Sequence, residues 1–213
     1  MRNNIENIKA FLIETLQRKN SINLFANYFS RIEENFAKLN LIDELEPFMH
    51  SYLTIYSSGE LLELEDIYSY FRDFYHYSTR LKTDENVLKH LYRYSNYYLK
   101  IFTLDISDVD AKHLIKKINM LNARDTYSYL LEVFEDYEFA HINKNTFIDI
   151  LETVLEYAAN RKFSNKKPQP FAILSAELNK MLAIKNYVPQ INEEENKQID
   201  KKNSTINDLM NSY

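Results

Sequence analysis

Side chains able to do chemistry are scattered along this chain rather than gathered. The five histidines are His50, His76, His90, His113 and His141. No two of them stand at i, i+3 or i, i+4, the spacing that lets one helix present two imidazoles to a zinc ion, and no H-E-x-x-H occurs. They read as separate surface or boundary residues. Glu132, Glu135, Asp136 and Glu138 crowd one short stretch. A paired-metal carboxylate centre needs inward Glu-x-x-His sets on facing helices. Here the acids fall on the polar side of a helix, between Leu131 and Phe134, and the spacing predicts a solvated face. Gly59 is the single glycine and Glu60 follows it, so neither a nucleophile elbow nor a phosphate-cradling G-x-x-x-x-G-K can be written. Cysteine is absent, which excludes disulfides, thiol catalysis and Cys-ligated metals. No catalytic, cofactor-binding or metal-binding residue is assigned.

Two binding candidates remain. The first is Arg161-Lys-Phe-Ser-Asn-Lys-Lys167, with four positive charges in seven residues. Arg161, Lys162, Lys166 and Lys167 are the candidates for contact with a DNA phosphate backbone, with Lys112, Lys116 and Lys117 as neighbours in the fold. A solvated interhelical loop is the alternative. The second is a pair of aromatic segments, 67–77 and 92–98, which are aromatic on more than one helical face. Such a face is either buried or a docking surface; Tyr70, Tyr77, Tyr92 and Tyr97 are the candidate partner-facing residues. The net charge of −5 argues against a general nucleic-acid surface.

The elements that must carry these residues are helical. One Gly and four Pro in 213 residues leave little material for hairpins, whose tight turns need positive φ. Apolar residues recur at helical spacing over 4–18, 22–39, 41–58, 84–102, 108–121, 126–139, from Asn143 to Arg161, and over 171–184. With one more aromatic helix following an acidic start at Glu60, the expectation is an all-α bundle of eight or nine helices joined by short polar turns. Ser21, Thr83, Ser107 and Asn143 are the expected N-caps, Ser107 with Asp110 forming a capping-box-like start. Pro47 stands in a first helical turn, where its missing N–H is least needed. The helical domain is placed at 1–187. Residues 188–213, rich in Asn, Glu and Lys, are expected to form a polar, disordered tail. No apolar run approaches the length of a membrane span and no leader is evident, so the chain is expected in the cytoplasm.

Taken together, Ile118 to Leu131, Phe147-Ile-Asp-Ile-Leu-Glu152 and Tyr157 to Arg161 resemble the helical region of DUF262 proteins, relatives of GmrSD-type modification-dependent restriction systems. Tyr129-Leu130-Leu131 stands at the family's Pro-x-Leu-Leu position, with Ser128 in place of Pro. Ala158 to Lys162 stands at Tyr-x-x-Arg-Arg, with Lys162 as the second basic residue. Ile8 to Leu12, Tyr28 to Ile32, Phe48 to Tyr56 and Asp66 to Phe71 follow in the same order, so the likeness spans about residues 5–185. It implies the helical middle of a DNA-defence protein, a fragment or a split-gene product. The family's D-G-Q-Q-R and His-Asn-His motifs do not occur, so no catalytic residue transfers. The expected partners are the linked nuclease modules or another protein, with DNA contact through the basic loop. The alternative is a stand-alone helical adaptor, such as a phage or plasmid accessory protein.

Overall fold

The computed structural model describes residues 4–57, 61–164 and 167–183. Among them are nine α-helices and no strand: α1 (Asn4–Arg18), α2 (Ser30–Lys38), α3 (Leu45–Thr54), α4 (Ile67–Leu81), α5 (Asp84–Thr103), α6 (Val109–Met120), α7 (Tyr127–Glu138), α8 (Lys144–Phe163) and α9 (Phe171–Ala183). The all-α bundle is therefore as expected. The Gly59 stop, the Glu60 start, Lys166 and the 188–213 tail lie outside the described residues. No helix among the described residues is long and apolar enough to cross a membrane.

How a bundle closes its helices with one glycine is visible in the backbone. Asn20, Asn40 and Asn122 take φ of 55–56°, the left-handed region that Asn tolerates better than other residues with a side chain. Ser21 N–H bonds back to the Leu16 carbonyl at 2.9 Å and Asn20 N–H to Gln17 at 3.1 Å. Leu41 and Asn40 bond to Phe36 and Ala37 in the same pattern. These are helix ends that would ordinarily take Gly at the left-handed position. Leu104 (φ 60°) and Ala140 (φ 55°) do the same without an amide side chain to help.

The N-termini show which expectations were local enough to hold. Thr83 Oγ1 accepts from Asn86 N–H at 3.2 Å, and Asn143 Oδ1 accepts from Thr146 N–H at 3.0 Å. α6 is capped one residue later than expected. Asp108 Oδ1, not Ser107, accepts from the N–H groups of Asp110 and Ala111, both at 3.0 Å. The carboxylate also meets Lys144 at the start of α8. The cap bonds, then Lys144, hold the Asp108 carboxyl below its usual range. Asp108→Ala is expected to lower stability by about 1 kcal/mol and Ser107→Ala by far less; urea denaturation of the two variants checks the assignment. The expected helix over 22–39 is also modified. Its first turn is a wide π turn, Phe25–Phe29, bonded from Ser30 N–H to the Phe25 carbonyl, and no side chain caps it. α3 is preceded by a 3-10 turn at Ile42–Glu44 rather than starting at 41.

The core runs without a break through all nine helices. α5 is its axis, with nine buried residues, among them Val87, Leu88, Leu91, Tyr94, Tyr97 and Tyr98. α2, α3, α4 and α7 all pack against it. Phe36, Phe48, Tyr52, Phe74 and Tyr94 form one aromatic chain whose ring centroids lie 5.5–5.8 Å apart at the Phe36–Phe48, Tyr52–Phe74 and Tyr52–Tyr94 contacts. Most of these contacts are tilted or edge-on, which the ring quadrupole favours. α1 lies along α4 in the same direction. Asn4 Nδ2 donates to Glu46 and to the Leu64 carbonyl, and its Oδ1 accepts from Tyr68 N–H. Farther along, Phe11 meets Phe71 and Tyr75, and Lys19 meets Asp84.

Candidate functional site

The basic stretch marked by the sequence is positioned by the last turn of α8. Arg161 does not project from it. Its side chain is only 7% exposed. One guanidinium nitrogen donates to Gln169 Oε1 at 2.6 Å and the other to the Lys167 carbonyl. Nε lies 3.5 Å from Asp125 Oδ2, close enough for an ion pair but without hydrogen-bond geometry. The guanidinium also stacks over Tyr157, whose hydroxyl donates to the same Gln169 oxygen at 2.8 Å. Arg161 is therefore a clamp that ties the turn after α8 to the start of α7, which corrects its assignment as a contact residue. The reason is chemical. A guanidinium presents five donors in a planar fork, and the concave back of a loop supplies acceptors for it. Lys162 and Lys167 remain exposed.

The densest set of titratable groups lies elsewhere, along α5. Tyr94 donates to Glu132 at 2.7 Å and Tyr97 to Glu135 at 2.9 Å, both acceptors on α7. Arg93 grips both oxygens of Glu135, stacks over Phe139 at 4.8 Å, and so closes the same seam. Tyr98 donates to Glu44 at 2.8 Å, and Glu44 is also held by both terminal nitrogens of Arg124. Tyr75 donates to Asp84 at 2.7 Å. Of the acids of α7 expected on a solvated face, Glu132 and Glu135 are thus joined to α5, and Glu138 also reaches it, pairing with Lys100 in the open; Asp136 instead meets His141 beyond the end of its own helix. Burial, and after it the adjacent carboxylates, pushes the hydroxyls of Tyr75, Tyr94, Tyr97 and Tyr98 well above the usual phenol range. They stay protonated and act as donors. The arrangement fixes helices; it does not poise a base.

His90 stands at the centre of this set. Its Nδ1 is 3.0 Å from the Tyr52 hydroxyl, and its ring stacks on Tyr94 at 4.2 Å. Burial, and then the charges of Arg93 and Lys82, lower its pKa to about 3. The folded state therefore holds His90 neutral, while the unfolded chain protonates it near pH 6.5. Stability from this group is complete above about pH 6.5 and drains as pH falls toward 3, at up to about 1.4 kcal/mol per pH unit. We expect His90→Gln, which keeps an acceptor for Tyr52, to show a shallower loss of urea stability between neutral and acid pH than the parent. Parallel slopes would show that His90 is not the group that titrates.

The four tyrosines proposed as a partner surface do not share one face. Tyr70 donates to the Tyr56 carbonyl at 2.6 Å, against α3. Tyr92 packs on Tyr28 and under Arg31, toward α2. Tyr97 is buried against α7, and Tyr77 is half-buried on α4. Helices aromatic on several sides are here helices wrapped by several neighbours. Among the described residues, no group of three or more His, Asp or Glu is placed to hold a metal ion. Comparison with protein-family models, with curated proteins and with solved structures gives no match.

Proposed function

We propose that this chain is a non-catalytic helical scaffold, which holds nuclease modules in place as the helical middle of a DUF262-like DNA-defence protein would. The observation that carries the reading is the use made of the polar side chains of α5. His90, Arg93, Tyr94, Tyr97 and Tyr98 reach Tyr52 on α3, Glu44 in the turn leading into α3, and Glu132 and Glu135 on α7. Groups that could move protons are committed to rigidity. A rigid body with apolar side chains exposed at its turns, such as Leu39, Ile42 and Phe139, suits a part that positions others. DNA contact, in this reading, rests on the exposed Lys162 and Lys167 and is secondary. The adaptor alternative shares the scaffold and differs only in the identity of what is held.

The test is an activity assay together with co-expression. The purified chain should cleave neither modified nor unmodified DNA and should hydrolyse no nucleotide. It should co-purify with a nuclease module encoded beside it. Cleavage that survives repurification and disappears in Glu135→Gln or His90→Gln would overturn the scaffold reading. Failure to bind a neighbouring nuclease module, with binding to some other defined protein, would move the conclusion to the adaptor.

A further inference from the structure

Phe163 closes α8 with its ring in the open. It is 86% exposed, the highest value of any large apolar side chain among the described residues. The fold makes use of the other phenylalanines. All but Phe139 belong to the core or pack against it, and Phe139 lies under the Arg93 guanidinium. Phe163 makes no ring or cation contact with any described residue. Lys162 precedes it, and Lys167 stands beyond the turn. Both are exposed, and neither makes an ion pair among the described residues. The Lys167 carbonyl lies against the Arg161 guanidinium, so Lys167 stands beside the last turn of α8. Two cations thus flank one bare ring. Arg161 itself offers a ligand nothing, because its guanidinium is turned inward on Gln169, Asp125 and that carbonyl.

We propose that Phe163 is a stacking platform for an unpaired base of single-stranded DNA, with Lys162 and Lys167 on the adjoining phosphates. This deepens the DNA contact of the scaffold reading and rests on that reading for the choice of DNA. Every base has a π-face, which an exposed ring can take without sequence preference. A duplex holds those faces between its own pairs and yields one only by unstacking. Shape points the same way. Glu156 stands on the same stripe of α8 two turns earlier, about 10 Å back along the axis. A duplex or an anionic membrane laid over the helix end would bring further negative charge onto Glu156. A single strand crosses the tip and leaves. The carbonyl end of α8 and the net charge of −5 also oppose an anion. Binding is therefore weak, confined to dilute salt, and dependent on the ring as much as on the lysines.

The experiment titrates the full chain into a labelled oligo-dT strand of about 12 nucleotides, within the span of a small single-strand site. Anisotropy is read at several salt concentrations. The other probes are an abasic strand of equal length, the matching duplex and phosphatidylserine vesicles. The parent should prefer the dT strand to all three. Phe163→Ala, with unchanged helicity by circular dichroism, should weaken dT binding about tenfold. It should leave the abasic strand and the salt slope as in the parent. K162A/K167A should weaken both strands and reduce the log–log salt slope by about 0.7 per lysine. Phe163→Trp places a single tryptophan in a chain that has none; it should bind as the parent does, and its fluorescence should be quenched by the dT strand and not by the abasic one. Equal affinity of the parent for dT and abasic strands overturns the proposal. So does a Phe163→Ala variant that binds dT like the parent, tighter binding to duplex or vesicles, or no binding to dT in dilute salt. None of these outcomes touches the scaffold itself, which stands or falls on the absence of cleavage and on its hold on a nuclease module.

Discussion

Replacing Phe48 by Ala should lower the free energy of unfolding by about 3–5 kcal/mol. Phe48 is fully buried in α3. Its ring lies 5.8 Å from Phe36 on α2, 6.1 Å from Tyr52 on its own helix and 5.6 Å from Tyr98 on α5. The cost includes lost transfer energy and a cavity the neighbours cannot fill. Tyr98 cannot swing in, because its hydroxyl is fixed on Glu44, which Arg124 holds in turn. Tyr52 is likewise tethered to His90. Phe48→Leu keeps most of the volume and should cost about 1–2 kcal/mol, in the range of partial core truncations. Phe163→Ala, which removes a ring that is 86% exposed, should change stability by no more than about 0.5 kcal/mol. Urea denaturation of the three variants gives the order directly. If Phe48→Ala were as mild as Phe163→Ala, the junction of α2, α3 and α5 around Phe48 would not exist.

What could be read from the sequence was what is decided within a turn or two of chain. The helices themselves come from apolar periodicity and from the shortage of glycine. The Thr83 and Asn143 caps come from a side chain bonding an amide three residues on. Asp108 was missed because Ser107 is an equally good cap in local terms. The choice was made by Lys144, thirty-six residues away and adjacent only in the fold. The acids of α7 show the same limit. On a wheel Glu132 and Glu135 fall on the polar side, and a polar side reads as solvent. A face can also be polar because another helix brings tyrosine and arginine to it, as α5 does. The signal was present in composition. Seventeen tyrosines in a helical protein are many hydroxyls to satisfy in a core, and a surplus of carboxylates on half-buried faces is the natural acceptor set. His90 carries the same lesson in part: Tyr94, four residues on, is its neighbour by helical spacing, but nothing near it in sequence indicates that Tyr52 will meet its ring nitrogen.

Arg161→Ala should lower stability by about 3 kcal/mol, near the low end for breaking a buried charge from its partners. Lys162→Ala and Lys167→Ala, at exposed positions, should fall within about 0.5 kcal/mol of the parent. The argument rests on what the guanidinium leaves behind. Without it, Gln169 Oε1 keeps only the Tyr157 hydroxyl, the Lys167 carbonyl loses its donor, and Asp125 loses the charge 3.5 Å away. Arg161→Lys preserves the charge but not the fork, so one acceptor at most is recovered and about half the loss should remain. The damage should also be local. α9 is held by its own apolar face, by Tyr129 on Asn179, and by the Gln169 segment that Arg161 grips. Amide exchange should therefore accelerate in α9 before it does in α1, as expected when one cooperative unit loosens from the rest. These measurements separate the two roles a basic residue at a helix end can have. A clamp shows itself as lost stability and a loosened α9, with DNA affinity unchanged at temperatures where the variant is folded. A DNA contact would show the reverse: parental stability and α9 protection, with weaker binding and a smaller dependence on salt.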